Sequence, residues 1–192
     1  MHVADRFGQI LAEAGIGLVY GGGNVGLMGA VARSVLAHGG HVTGIIPQFL
    51  VDREVMLADV QDLVITPDMH ERKWRMFERA DAFVALPGGI GTLEELVEQM
   101  TWVQLGRHHK PILLVNMDGF WDPLLALLEH MRRSGFVPDA RKIPFLVVDD
   151  IEDVLPALRG ALGLVDRIAA ESDVEAPLQE PLTQGRAACR PA

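Results

Sequence analysis

A short apolar run followed at once by clustered glycines, in residues 83–95, constrains the fold of this chain most. The run at 83–86 suits a buried strand of a parallel sheet. Pro87 has no backbone N–H to donate, so it ends the strand, and three glycines follow within four residues. From residue 91 onward, apolar side chains recur at helical spacing. This order of strand, glycine turn and helix places free N–H groups at one edge of a sheet, where phosphate binds.

The same alternation of strand and helix runs along most of the chain. The predicted strands cover 16–20, 41–46, 63–66, 81–86, 112–116 and 145–148, and the predicted helices cover 2–14, 27–37, 67–79, 91–105, 121–133 and 151–158. This order predicts an α/β protein with a Rossmann-like, doubly wound parallel sheet flanked by helices. We expect one nucleotide-binding domain over residues 1–168. Residues 169–192 lack periodicity and are rich in Pro, Glu and Ala, which predicts a disordered tail.

Composition argues against several classes of protein. The net charge of −9 gives no electrostatic support for a nucleic-acid partner. The sequence has neither an apolar run of the ~20 residues that span a membrane nor a recognisable signal peptide. One cysteine, Cys189, and seven scattered histidines offer no metal-ligand spacing, so we predict no metal site. A cytoplasmic location fits this cysteine usage.

The first glycine turn of the chain, in residues 21–26, admits three interpretations. Its glycine spacing matches the dinucleotide-binding fingerprint, but the next strand ends at Pro47 with no acidic residue to hold a ribose. The turn could instead serve only to pack a helix on the sheet. The interpretation we prefer is that Gly22 and Gly23 line a nucleotide pocket.

Three motifs stand in order along the chain: Tyr-Gly-Gly-Gly-Asn-Val-Gly-Leu-Met-Gly at 20–29, Met-His-Glu-Arg-Lys at 69–73 and Pro-Gly-Gly-Ile-Gly-Thr-Leu-Glu-Glu at 87–95. Together they resemble the LOG ("lonely guy") family of cytokinin-activating phosphoribohydrolases, long mislabelled as lysine decarboxylases. The resemblance implies hydrolysis of the N-glycosidic bond of N6-substituted adenosine 5′-monophosphates to free base and ribose 5-phosphate. It also implies a homodimer that needs no cofactor.

By the same resemblance, Arg72 and Glu95 are the catalytic residues. The carboxylate would stabilise positive charge on the ribose or orient the attacking water. The predicted substrate-binding residues lie in the three motifs or close to them: Gly22, Gly23, Glu54, Met69, Lys73, Gly88, Gly89, Ile90, Gly91, Thr92, Glu94 and Thr101.

Four polar residues of this set also have a plainer interpretation. Arg72 and Lys73 would otherwise belong to a solvated helix face. Glu95 would be an acidic residue favoured by a helix dipole, and Thr92 would be only a helix N-cap. The resemblance decides in favour of the functional roles.

The main alternative function is that of a carrier with a Rossmann-like fold, which binds a nucleotide or phosphate without cleaving it. A carrier has no need of an Arg72/Glu95 pair, so the pair favours the enzyme. Decarboxylation is disfavoured because the chain has only three lysines, none in a convincing pyridoxal-phosphate context: Lys73, Lys110 and Lys142.

The first helix departs from the family pattern. Family members begin with a strand and a Gly-Ser turn before this helix, whereas the present sequence starts almost inside it. In the family that strand lies centrally in the sheet. We therefore expect two sheet edges here that lack their partner.

Overall fold

The computed structural model describes residues 2–51, 56–57, 59–137 and 143–174, with side chains as far as residue 164. Within these ranges strands and helices alternate in the order α1 (His2–Glu13), β1 (Leu18–Tyr20), α2 (Gly26–Ala37), β2 (Val42–Pro47), β3 (Asp62–Thr66), α3 (Met69–Arg79), β4 (Phe83–Ala85), α4 (Ile90–Gln104), β5 (Ile112–Val115), α5 (Asp122–Arg133), β6 (Leu146–Val148) and α6 (Val154–Val174). Each predicted element is present. The largest difference is α6, which runs well past the predicted end at residue 158.

The strands form two parallel three-stranded sheets, in the orders β1-β2-β3 and β4-β5-β6. In the first sheet Tyr20 pairs with Gly44, and in the second Ala85 pairs with Leu114. Parallel strands flanked by helices confirm the predicted α/β architecture. However, the described strands do not form one continuous sheet, since β1 and β4 are not hydrogen-bonded to each other.

β1 and β4 each present an edge without a strand partner among the described residues. The Leu18 N–H donates to His41 O at 2.9 Å, and the Phe83 N–H donates to Pro111 O at 2.8 Å. Since peptide groups alternate in direction along a strand, those of Val19 and Val84 face away from β2 and β5. Val19 and Val84 line the same cavities. The two unpaired edges expected from the sequence are therefore present.

β5 separates two apolar clusters that hold the helices to the sheets. Its residues Leu113 and Val115 pack in a cluster with side chains of α1, α2 and α6. The alternate residues, Ile112 and Leu114, pack in a second cluster with side chains of α4 and with Trp121. All four are at most 1% exposed, as is typical of a parallel strand covered on both faces. No helix in the described part of the chain is both long and apolar enough to cross a bilayer.

Candidate active site

The N-terminus of α4, at the carboxyl end of β4, has open backbone donors. Gly89 is its N-cap, and no side chain forms a capping hydrogen bond there. The first helical bond runs from the Leu93 N–H to Gly89 O at 3.1 Å. The N–H groups of residues 90–92 therefore have no acceptor within the helix. They form, with the positive end of the helix dipole, a site suited to an anion.

The glycines of this turn have different surroundings. A Cβ added to Gly88 would lie 2.3 Å from Thr92 Oγ1, so the absence of a side chain leaves room for the Thr92 hydroxyl. A Cβ at Gly89 or Gly91 would meet no atom within 4 Å. Thr92 is the third residue of α4, so it is not the helix N-cap. Ile90, at the first helical position, is 82% exposed.

Arg72 lies on α3, whose N-cap Asp68 accepts a hydrogen bond from the Glu71 N–H at 2.8 Å. Although the helix sequence is polar, Arg72 is only 6% exposed. Its Nε donates to Ile45 O at 3.2 Å, and its Nη2 donates to Gly21 O at 3.4 Å. The interpretation as a solvated helix face is therefore wrong for Arg72, because backbone carbonyls of β2 and of the first glycine turn bind its guanidinium.

Arg72 also forms an ion pair with the second predicted catalytic residue. Its Nη1 lies 3.1 Å from Glu95 Oε1, and the Glu95 side chain is 35% exposed. Burial raises the pKa of the Glu95 carboxyl above its ordinary value, while the Arg72 guanidinium acts in the opposite direction. The result is a partly desolvated carboxylate with increased basicity, held in orientation by a buried cation.

Lys73 joins two other carboxylates of α4. Its Nζ donates to Glu94 Oε1 at 2.7 Å and to Glu98 Oε1 at 2.9 Å. The hydrogen bond to Glu94 is the largest cause of a raised Lys73 pKa, so the ammonium form is stabilised. The Lys73 side chain is 16% exposed and that of Glu94 is 53% exposed. Lys73 thus supports the face of α4 that carries Glu95.

Glu98 was not among the predicted site residues. It lies one helical turn after Glu95 and lines the same cavity as Glu95 and Thr92. Its Oε2 is buried and has no hydrogen-bond partner among the described residues. The sequence signal that could have identified Glu98 is its i, i+3 spacing from Glu95, which puts both side chains on one side of the helix.

The first glycine turn lies beside Arg72, at the carboxyl end of β1. Gly22 has φ of +80°, and a Cβ there would lie 2.9 Å from Ile46 Cβ. The Leu57 N–H donates to Gly22 O at 3.2 Å, and Gly23 forms an antiparallel bridge with Met56. The two predicted glycines thus lie in the same region as the Arg72–Glu95 ion pair.

Three further predicted residues have different outcomes. The Met69 Sδ accepts a contact from Arg72 Nη1 at 3.8 Å, so Met69 belongs to the group. Thr101 is exposed about two turns beyond Glu94 on α4, and its hydroxyl donates to Val97 O. Glu54 lies outside the described residues. Within the described ranges, no three His, Cys, Asp or Glu side chains are placed to hold a metal ion.

Comparisons with known proteins show which family the chain resembles in sequence. A family model described as "Possible lysine decarboxylase" matches residues 28–158. The chain is 52% identical over 141 residues to the cytokinin riboside 5′-monophosphate phosphoribohydrolase LOG of Oryza sativa subsp. japonica, covering 73% of this chain and 58% of that protein. It is 39% identical over 183 residues to the cytokinin riboside 5′-monophosphate phosphoribohydrolase LOG5 of Arabidopsis thaliana, covering 94% of this chain and 80% of that protein. The match thus spans less than two thirds of the rice protein.

A solved structure supports the fold independently. The chain is similar to a molybdenum cofactor binding protein from the phototrophic bacterium Rippkaea orientalis, with a TM-score of 0.62 and 22% sequence identity. The match covers 83% of this chain and 85% of that one. At this identity the likeness establishes the architecture alone.

Proposed function

The chain belongs to the LOG family, and on this premise we propose that it hydrolyses the N-glycosidic bond of N6-substituted adenosine 5′-monophosphates. The products are the free base and ribose 5-phosphate, and AMP is a poorer substrate. The observation that carries the proposal is the Arg72–Glu95 ion pair, whose carboxylate lies on the helix that begins at the anion site. Relatives named for this activity add independent support.

The 5′-phosphate binds at the N-terminus of α4. The N–H groups of residues 90–92 donate to its oxygens, and the Thr92 hydroxyl adds a further donor. Glu95 stands one turn further along the same helix. Holding the phosphate at the helix end therefore brings the ribose towards the carboxylate.

The reaction breaks the bond between ribose C1′ and the base nitrogen. Positive charge develops on the ribose ring as that bond lengthens, and a water oxygen forms the new bond to C1′. Glu95 accepts a proton from this water, the departing base nitrogen takes up a proton from solvent, and Glu95 then returns its proton to solvent. A general base in such a position contributes about 10²–10⁴-fold in rate.

Arg72 acts on Glu95 rather than on the phosphate. Its Nε, Nη1 and Nη2 atoms all donate to protein acceptors, which leaves little capacity for a ligand. Its positive charge opposes the effect of burial on the Glu95 pKa and so favours the ionised carboxylate, and its fixed geometry orients that group.

The decarboxylase description fits the lysines poorly. A lysine that forms a Schiff base with a cofactor must lose its proton readily. Lys73 has a raised pKa and binds two carboxylates, and Lys110 donates to Phe77 O at 2.7 Å. Lys142 lies outside the described residues.

We also propose that the chain forms a homodimer through α4. The helix exposes the apolar residue Val97, 43% exposed, and its C-cap residue Leu105 is 66% exposed. An uncovered apolar helix face favours burial against a second copy. Light scattering coupled to gel filtration would return twice the monomer mass, and a monomer at micromolar concentration would contradict this.

The cytoplasmic location and the domain limits stay predictions.

The activity is tested with purified protein, AMP, its N6-isopentenyl derivative and adenosine. We expect equal amounts of free base and ribose 5-phosphate from the nucleotides, with the isopentenyl compound cleaved faster. Adenosine should remain intact because it lacks the phosphate that binds α4. Tight binding of both nucleotides without any cleavage would instead establish a carrier.

A further inference from the structure

Gly21 directly follows β1 and lies against the guanidinium of Arg72. A Cβ added to Gly21 would lie 2.0 Å from Arg72 Nη2 and 3.1 Å from Cζ. The backbone of Gly21 is not in the left-handed region, unlike that of Gly22, whose φ is +80°. Space beside Arg72, rather than backbone conformation, therefore requires glycine at position 21.

The guanidinium has few ways to move aside. It donates to Ile45 O and Gly21 O on one side and to Glu95 on the other, and Arg72 is 6% exposed. The added Cβ would also lie 3.2 Å from Met28 Sδ. A methyl group at position 21 thus displaces the guanidinium, since the backbone carbonyls that hold it cannot follow.

We propose that Gly21 is a positioning residue, whose missing side chain allows Arg72 to reach Glu95. Any larger residue at position 21 separates the ion pair and leaves the two sheets in place. The effect of a substitution at Gly21 on turnover rests on the proposed function, whereas its effect on the Arg72–Glu95 ion pair does not. The two are therefore measured separately.

The geometric consequence is a change in the titration of Glu95. Arg72 lowers the pKa of this carboxyl, as does Lys73, whereas burial, Glu94 and Glu98 raise it. A displaced guanidinium removes the largest lowering influence and leaves the others unchanged. The Glu95 carboxyl should therefore hold its proton to a higher pH.

The first experiment follows the Glu95 carboxyl carbon by NMR during a pH titration of the full chain. Comparison with Glu95→Gln assigns the signal. Gly21→Ala should move the titration midpoint to higher pH, while Gly17→Ala should leave it unchanged. Gly17 is the matched control, because it lies just before β1 and a Cβ there would be 3.9 Å from its nearest neighbour. An unchanged midpoint in folded Gly21→Ala overturns the proposal.

The second experiment is a double-mutant cycle in turnover of N6-isopentenyl AMP. Gly21→Ala should lower kcat about 10²-fold with a small change in KM, the loss typical of a misplaced catalytic group. In an Arg72→Ala background the conflict is gone, so Gly21→Ala should cost nothing more. An additive loss would assign Gly21 a role independent of Arg72.

Folding supplies the remaining check. If Gly21→Ala alone fails to fold, the Gly21→Ala/Arg72→Ala double variant should fold, because the closest conflict of the methyl group, at 2.0 Å, is with the guanidinium. Failure of both variants would overturn the proposal and implicate Met28 instead. If wild-type protein shows no turnover, the function proposed above fails, and the NMR titration still decides the role of Gly21.

Discussion

The guanidinium of Arg72 lies 3.1 Å from the carboxylate of Glu95, and the two residues belong to different halves of the fold. Arg72 is on α3, which follows β3 of the first sheet, and Glu95 is on α4, which follows β4 of the second. The described strands of the two sheets share no hydrogen-bonded ladder. The ion pair therefore ties the halves together at the proposed site of chemistry.

Removal of the Arg72 charge should move the acid side of the pH–rate profile. The pKa of Glu95 is already raised by burial, and Arg72 opposes that increase. Activity that needs the carboxylate falls as the pH drops through this pKa. In Arg72→Ala the fall should therefore begin at a higher pH, and in Arg72→Lys the displacement should be smaller. Profiles of kcat that coincide for all three proteins would contradict this electrostatic role.

Charge at the N-terminus of α4 should control nucleotide affinity. A Cβ at Gly89 meets no atom within 4 Å, so Gly89→Ala and Gly89→Asn have room. Gly89→Asp has the shape of Gly89→Asn and adds a negative charge beside the phosphate. Calorimetric titration with AMP should show much weaker binding for Gly89→Asp than for Gly89→Asn. Equal affinities would place the phosphate elsewhere.

The unpaired edges of β1 and β4 should appear in hydrogen exchange. The N–H groups of Val19 and Val84 face away from β2 and β5, whereas those of Leu18 and Phe83 donate to carbonyl oxygens of the segments beside them. In native-state exchange, Val19 and Val84 should exchange faster than their neighbours. Equal protection would show that another segment pairs with these edges.

Most of the fold could be predicted from the sequence because its signals are local. Apolar runs closed by glycine or proline mark the strands, and helical spacing marks the helices. The interruption between β1 and β4 is not a local property, and only the family pattern indicated it. The length of α6 was underestimated, although apolar residues at helical spacing continue past residue 158 at 162, 165 and 168.

The site was only partly accessible from the sequence. Periodicity placed Arg72 on a solvated face, because nothing local shows that Ile45 O and Gly21 O accept its hydrogen bonds. The resemblance supplied its role instead. Glu98 was missed because its burial depends on how α4 packs. Gly21 was noticed only as part of a turn, since its contact with Arg72 spans 51 positions of sequence.

The central claim is that the Glu95 carboxylate performs the chemistry, and one comparison tests it most directly. Wild-type protein and Glu95→Gln are assayed for ribose 5-phosphate release from N6-isopentenyl AMP, and the affinity of each for AMP is measured. Glu78→Gln, which changes an exposed carboxylate on α3, is the control. We expect Glu95→Gln to bind AMP as the wild type does and to lose about 10²–10⁴-fold in kcat, with Glu78→Gln unaffected. Turnover by Glu95→Gln at the wild-type rate would contradict the account.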